Sequence, residues 1–121
     1  MKLRIRGNTI RLRLLRSEVT ELAEHGIVSE NTSFGGGSVL TYRIVSDGEA
    51  EAVASSFDEG IVTVSVPIAD LLEWAEEDTR VGIEAESGSL RILIEKDFAC
   101  PSREDDPDNL DSFPNPELVC T

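Results

Sequence analysis

The chain has 121 residues, 40% of them hydrophobic, and carries 24 acidic against 11 basic side chains, for a formal net charge of −13. This length suits one domain with one core, and the apolar content excludes wholesale disorder. Apolar runs are far shorter than the roughly 18–20 residues of a bilayer span. The start of the chain also lacks the apolar segment of a signal peptide. We therefore predict a cytoplasmic protein without membrane contact.

The charge is distributed unevenly along the chain. Residues 1–16 carry +6 and no acid, residues 17–96 carry −13, and residues 97–121 carry −6. An acid-rich composition with few lysines resembles that of proteins adapted to high salt, although a short acidic protein from another source shares it. The overall acidity argues against a nucleic-acid partner, because it repels the phosphate backbone.

The start of the chain alternates between apolar and basic side chains, which predicts strands with one face on a core. Gly7 and Asn8 interrupt the alternation, and this indicates either a bulge or a hairpin turn. A short helix is predicted over 17–25, because Ser17 and the acids that follow it suit a helix start and Gly26 suits its end.

The middle of the chain predicts short strands separated by turns. The β-branched run at 61–66 is the clearest strand, and two others are expected at 27–34 and 39–45. The segment 50–57 is ambiguous, because its alanines suit a helix whereas its position between turns suits a strand.

The last part of the chain predicts one helix, two strands and a polar tail. A proline suits the first position of a helix over 67–76, since its missing N–H costs nothing there. Strands are expected over 81–85 and 90–95. Hydrophobic periodicity then ends, which predicts a domain over 1–100 and an acidic tail over 101–121 that orders only by docking on the domain.

Together these elements predict an α+β fold. Hairpin-length turns between short strands favour a mainly antiparallel meander sheet, or a partly closed barrel, with two short helices. Phe113 is expected to anchor the irregular tail on the domain, with the acids before it held by the basic start of the chain.

Arginines on one face of the first strands form the main candidate site. Guanidinium groups bind phosphate or carboxylate through paired hydrogen bonds, and charged side chains at the end of the last strand could complete such a site. The predicted ligand-binding residues are Arg4, Arg6, Arg11, Arg13, Lys96 and Asp97. The structural alternative is pairing of these arginines with acids of a neighbouring strand, such as Glu84, Glu86 or Glu95.

A tunnel is a narrower form of the anion-site hypothesis. Basic and acidic side chains inside a barrel could hold a phosphate-rich ligand with a divalent cation. Such a site resembles the triphosphate-tunnel architecture in outline, but the Glu-x-Glu-x-Lys motif of that family is absent from the first strand.

Other chemistry has weaker support in the sequence. His25 is the one histidine, so a catalytic Ser-His or Cys-His pair would have to use it. Its position at the end of a predicted helix is common for histidine and favours a structural role. Cys100 and Cys120 match no zinc or redox spacing and suit free thiols, although a disulfide between them is an alternative. The acids of the tail lack the spacing of a calcium loop. We therefore predict no catalytic residue, cofactor or metal site.

Both ends of the chain carry specific motifs. The first is Met-Lys-Leu-Arg-Ile-Arg-Gly-Asn-x-Ile-Arg-Leu-Arg-Leu at 1–14; the others are a Glu-Lys-Asp-Phe-x-Cys element within 94–100 and Phe-Pro-Asn-Pro at 113–116. This combination resembles a family of small uncharacterised bacterial and archaeal proteins, a domain of unknown function. The resemblance implies that the basic strand and the Glu-Lys-Asp-Phe-x-Cys turn belong to one unit, and it implies no activity.

We therefore expect a small binding or interaction module, monomeric or homodimeric, with an unknown protein partner or a small anionic ligand. The alternative is an enzyme or ligand-binding protein with a phosphate or carboxylate site on the arginine-rich strand, with or without a divalent cation.

Overall fold

The computed structural model of the chain describes residues 1–77, 80–98 and 111–113. Two helices lie in this part, α1 (Arg16–His25) and α2 (Ile68–Glu76), and neither is long enough to cross a membrane. The strands are β1 (Lys2–Arg6), β2 (Thr9–Leu14), β3 (Ile27–Gly35), β4 (Ser38–Asp47), β5 (Ala54–Asp58), β6 (Ile61–Pro67), β7 (Gly82–Ser87) and β8 (Leu90–Lys96).

The strands form two four-stranded sheets, with orders β1-β2-β8-β7 and β3-β4-β6-β5. Each sheet consists of two antiparallel hairpins whose second strands pair in parallel, β2 with β8 and β4 with β6. The prediction of mainly antiparallel strands with two short helices is confirmed. The partly closed barrel is wrong, since the sheets do not close into one, and a simple meander is wrong at the two parallel pairs.

The second sheet lies entirely within the connection that joins β2 to β8. A parallel pair needs such a crossover, because the chain must return to the same end of the sheet. The ambiguous segment at 50–57 contributes β5, which pairs with β6 from Ala54 to Asp58. Pairing with the β-branched strand β6 thus outweighs the helical preference of Ala54, whereas Ala50 and Ala52 lie in the irregular segment before the strand.

The alternation at the start of the chain forms a hairpin rather than a bulged strand. Gly7 has φ 53°, which a two-residue turn of this kind requires at its first position and which glycine adopts without strain. Arg6 faces Thr9 across the turn. On β2, Ile10, Leu12 and Leu14 are buried in the core. The residues between them therefore lie on the opposite face of the sheet.

A charged cluster ties the start of the chain to α1 and to the second sheet. The ammonium group of Met1 is buried and contacts the carboxylates of Glu18, on α1, and Glu30, on β3, the latter at 3.2 Å. The Tyr42 hydroxyl, on β4, donates to the Met1 carbonyl oxygen at 3.3 Å. Glu18 also accepts from the backbone N–H of Leu15 at 2.9 Å and so caps α1.

Aromatic and basic side chains pack together around the C-terminal end of β8. Phe113 is 2% exposed and meets Phe98 edge-to-face, with ring centroids 6.0 Å apart. The guanidinium of Arg16 lies 4.7 Å from the Phe113 ring centre. The amine of Lys96 lies 5.3 Å from that centre and 5.5 Å from the Trp74 ring. Cation–π contacts of this kind are strongest when desolvated, which holds for the buried Lys96 but not for the exposed Arg16.

Only three residues of the predicted tail are described, and they contact the domain through both backbone and side chains. The Phe113 N–H donates to the Asp97 carbonyl at 2.9 Å, and Asp111 accepts from the Ser17 N–H at 3.0 Å and from its hydroxyl. The acids at 104–108, and Cys100 and Cys120, lie outside the described residues.

We predict that Tyr42 ionises at a pH above the ordinary tyrosine value. Burial, followed by the nearby negative charge of Glu30, raises the pKa of Tyr42 above 10.0. The unfolded chain therefore loses this proton first, so the contribution of Tyr42 to stability is complete below about pH 10 and is lost as the pH rises through the folded pKa. Because the chain has one tyrosine, tyrosinate absorbance reports it alone. The midpoint should fall back to about 10 in urea, and a folded midpoint at or below the urea value would contradict the burial argument.

We also predict that replacing the buried Phe113 lowers the stability of the chain far more than replacing the exposed Phe57 does. Phe113→Ala should lower the free energy of unfolding by about 3 kcal/mol, because it opens a cavity beside buried rings. Phe57→Ala is the matched control: Phe57 is 71% exposed, so its loss should change stability by less than about 0.5 kcal/mol. Urea unfolding followed by the fluorescence of Trp74 measures both, and equal effects would show that Phe113 does not hold the tail on the domain.

Candidate functional site

The outer face of the first sheet carries a concentrated positive charge. We call this set the basic face; its members project from alternate positions of β1 and β2 and are Lys2, Arg4, Arg6, Arg11 and Arg13. The hairpin register places Arg4 opposite Arg11 and Lys2 opposite Arg13. Like charges that face each other across a strand pair destabilise it, so the basic face requires negative charge nearby.

Part of this negative charge comes from the end of β8. The parallel register places Glu95 beside Arg13, and its carboxylate lies 2.7 Å from Arg11 Nε and 3.9 Å from Arg13 Nε. Asp97, just beyond β8, accepts a hydrogen bond from the amine of Lys2 at 3.1 Å. The basic face is therefore neutralised at the end that lies near the helices.

Towards the hairpin turn, β8 offers no further carboxylate to the basic face. Leu93 is the register partner of Arg11, and Arg91 is the partner of Thr9. Glu84, on β7, pairs with Arg91 at 3.6 Å and so does not reach β1. Arg4 and Arg6 are exposed and make no ion pair or hydrogen bond with any residue of the described part of the chain.

These two arginines border a cleft. We call it the arginine cleft; it has a volume of about 320 Å³ and is lined by Arg4, Arg6, Thr9 and Arg11. The volume lies at the lower end of the range for small-ligand sites. The contact between Arg11 Nε and Glu95 Oε1 is short but not aligned as a hydrogen bond, and both atoms are buried without a hydrogen-bond partner among the described residues. Arg11 is therefore held by charge attraction to Glu95 while its side chain lines the cleft.

The arginine cleft is suited to binding an anion. Three guanidinium groups supply positive charge and fork-shaped pairs of N–H donors, and Thr9 adds a hydroxyl group. Its described lining residues include no histidine, cysteine or lysine. Elsewhere in the described residues, no three or more His, Cys, Asp or Glu side chains gather as a metal site would require.

The structure brings together only part of the predicted site. Arg4, Arg6 and Arg11 line the cleft, while Arg13 shares their face but is held by Glu95. Asp97 contacts Lys2 at the far end of the basic face. Lys96 does not reach this face at all: it is buried, contacts the Trp74 and Phe113 rings and donates to the Glu77 carbonyl. Alternation along β8 places it inward, on the face opposite that of Glu95.

Thr9 is the residue of the cleft that sequence reasoning missed. It follows the Gly7-Asn8 turn and faces Arg6 in the hairpin. Counting the register outward from a two-residue turn would have found it, because such a turn fixes which residues face each other. The lack of an acid on β8 beside Thr9 and Arg11, where Arg91 and Leu93 stand, could not be predicted in this way. It depends on the pairing of β2 with β8, which are far apart in the sequence.

Comparison with known proteins gives a family and no activity. Neither the curated proteins nor the solved structures contain a match to this chain. One family model, described as a family of unknown function (DUF7009), matches residues 1–117. The expected membership of a family without an assigned function is therefore confirmed. Because the match spans almost the whole sequence, the chain belongs to this family of unknown function.

Proposed function

We propose that the chain is a small binding module whose arginine cleft takes an anionic group, either a carboxylate or a phosphate. One observation carries this proposal. Arg4 and Arg6 are exposed at the rim of a cleft, close to Arg11, and the described part of the chain supplies no counter-charge to them. An anion bound there would complete the neutralisation that Glu95 and Asp97 provide at the other end of the basic face.

The composition of the chain strengthens the electrostatic argument. A chain with 24 acids and 11 bases has ample negative charge with which to pair two more arginines. The two positions of β8 nearest to them nevertheless hold Leu93 and Arg91. Within the described residues, clustered positive charge is therefore left without acidic partners in an acidic protein, which is the arrangement expected where the counter-ion is a ligand.

Binding fits the cleft better than catalysis does. A general acid–base mechanism needs a titratable group within hydrogen-bond reach of the ligand, and among the described residues the cleft lining offers arginine and threonine. The cytoplasmic location, the absence of a nucleic-acid partner, and the monomeric or homodimeric state remain predictions from composition.

We predict that small anions stabilise the chain through Arg4 and Arg6. Citrate or inorganic phosphate should raise the melting temperature in a concentration-dependent way, since a ligand at 100 times its Kd adds about 2.7 kcal/mol. Arg4→Gln or Arg6→Gln should weaken binding about tenfold, because each removes a charge-assisted hydrogen bond. Arg80→Gln is the matched control, because it removes the same charge from a residue that pairs with Glu73 at 3.4 Å. An equal loss in all three variants, or an effect that chloride reproduces at the same ionic strength, would reject the cleft.

A second prediction concerns the internal counter-ion of Arg11. Glu95→Gln should tighten anion binding several-fold, because it frees Arg11 from the carboxylate that lies 2.7 Å away. Glu86→Gln removes the same charge from an exposed position on β7 that makes no ion pair with the described residues, and it should change affinity far less. Titration of both variants with citrate measures the difference. A larger effect for Glu86 would mean that Arg11 does not contact the anion.

A further inference from the structure

We propose that β1 is a docking edge for an extended acidic peptide, which adds to the first sheet as a fifth strand and presents its carboxylates to Arg4 and Arg6. This inference rests on the proposed function, and it names a carrier of anionic groups for Arg4 and Arg6, two of the residues that line the arginine cleft. Two features of β1 support it: its open backbone edge and the spacing of its side chains.

The backbone of β1 is paired on one side only. The sheet order β1-β2-β8-β7 places it at an edge, and β2 is its one strand partner in the described part of the chain. About half of the N–H and C=O groups of an edge strand point away from its neighbour and can pair with an added strand. The exposure of Arg4, Ile5 and Arg6 shows that described residues do not cover this edge near the hairpin turn.

The side chains of β1 match a peptide of one particular pattern. Arg4 and Arg6 are separated by one residue, which spaces them about 7 Å apart along the strand. Alternate residues of an added strand repeat at the same distance, so two of its carboxylates can face both arginines. On the other face, Ile5 is 62% exposed, beside the half-buried Leu3. The peptide that fits therefore alternates acidic and apolar residues.

Charge opposes a second copy of the chain as the occupant. Pairing of β1 with β1 of another molecule would place basic side chains opposite one another. The opposite edge of the sheet, β7, carries Glu84 and Glu86, but its end near Ser87 contacts β5, where the Ser55 N–H donates to the Ser87 hydroxyl at 3.2 Å. The edge of β7 is therefore partly covered by β5, whereas both backbone edges of a free peptide are open. A free peptide can thus pair with β1 more easily than β7 of a second copy can.

The experiment compares three peptides on the full chain. The first alternates glutamate and valine over about six residues, to match the length of β1. The second has the same composition, with its glutamates in one block. The third repeats the alternating order with N-methyl groups that block the backbone N–H donors along one edge. Calorimetric titration gives the affinities, and amide hydrogen exchange at Leu3 and Ile5 reports strand pairing directly.

The alternating peptide should bind at least tenfold more tightly than the other two and should slow exchange at Leu3 and Ile5. Arg4→Gln and Arg6→Gln should each weaken it several-fold, and Arg80→Gln should not. Equal affinity for all three peptides, or citrate binding without peptide binding, would overturn the docking edge and leave the anion cleft standing.

If neither citrate nor any peptide binds, both proposals fail. If the chain instead self-associates on size exclusion, and exchange at Leu3 and Ile5 is slow in that assembly without any peptide, the occupant is a second copy and the peptide proposal is overturned.

Discussion

The parallel pairing of β2 with β8 is the constraint on which the rest of the molecule depends. It joins two hairpins from opposite ends of the chain into one sheet, with the whole second sheet in the connection between them. Its inward side chains, among them Leu12, Leu14, Ile92 and Ile94, are fully buried and form the centre of the core. Burial of four large aliphatic side chains in one contact stabilises the fold by an amount comparable to the net stability of a small domain.

The same pairing decides the electrostatics of the opposite face. A strand shows its alternate residues on opposite faces, so the register that aligns the buried side chains also aligns the charged ones. This register places Glu95 beside Arg11 and Arg13. It also places Leu93 and Arg91 at the two positions of β8 where acids would neutralise Arg4 and Arg6. The core and the arginine cleft are thus two consequences of one register, and a shift by a single residue would remove both.

Features that depend on residues close together in the sequence were predictable, and features that depend on contacts between distant segments were not. The two helices and the hairpins were predictable because turn residues such as Gly7 and the periods of the apolar residues act over a few positions. Arg4, Arg6 and Arg11 were found as a group for the same reason, since alternation places them on one face. Lys96 was grouped with them only by its charge; its burial against Trp74 and Phe113 depends on segments distant in the chain.

The sequence by itself determined most of the elements, the polarity of the faces of the first strands, and the asymmetry of a +6 start in a chain of net charge −13. Only the tertiary structure decided which of these positive charges are neutralised. Net charge and alternation are properties of composition and local order, whereas an ion pair needs two side chains within about 4 Å, and that distance depends on which strands are neighbours. Lys2, Arg11 and Arg13 meet acids because β8 lies beside β2, whereas Arg4 and Arg6 have no acidic partner in the described part of the chain, because β8 has no acid at their level.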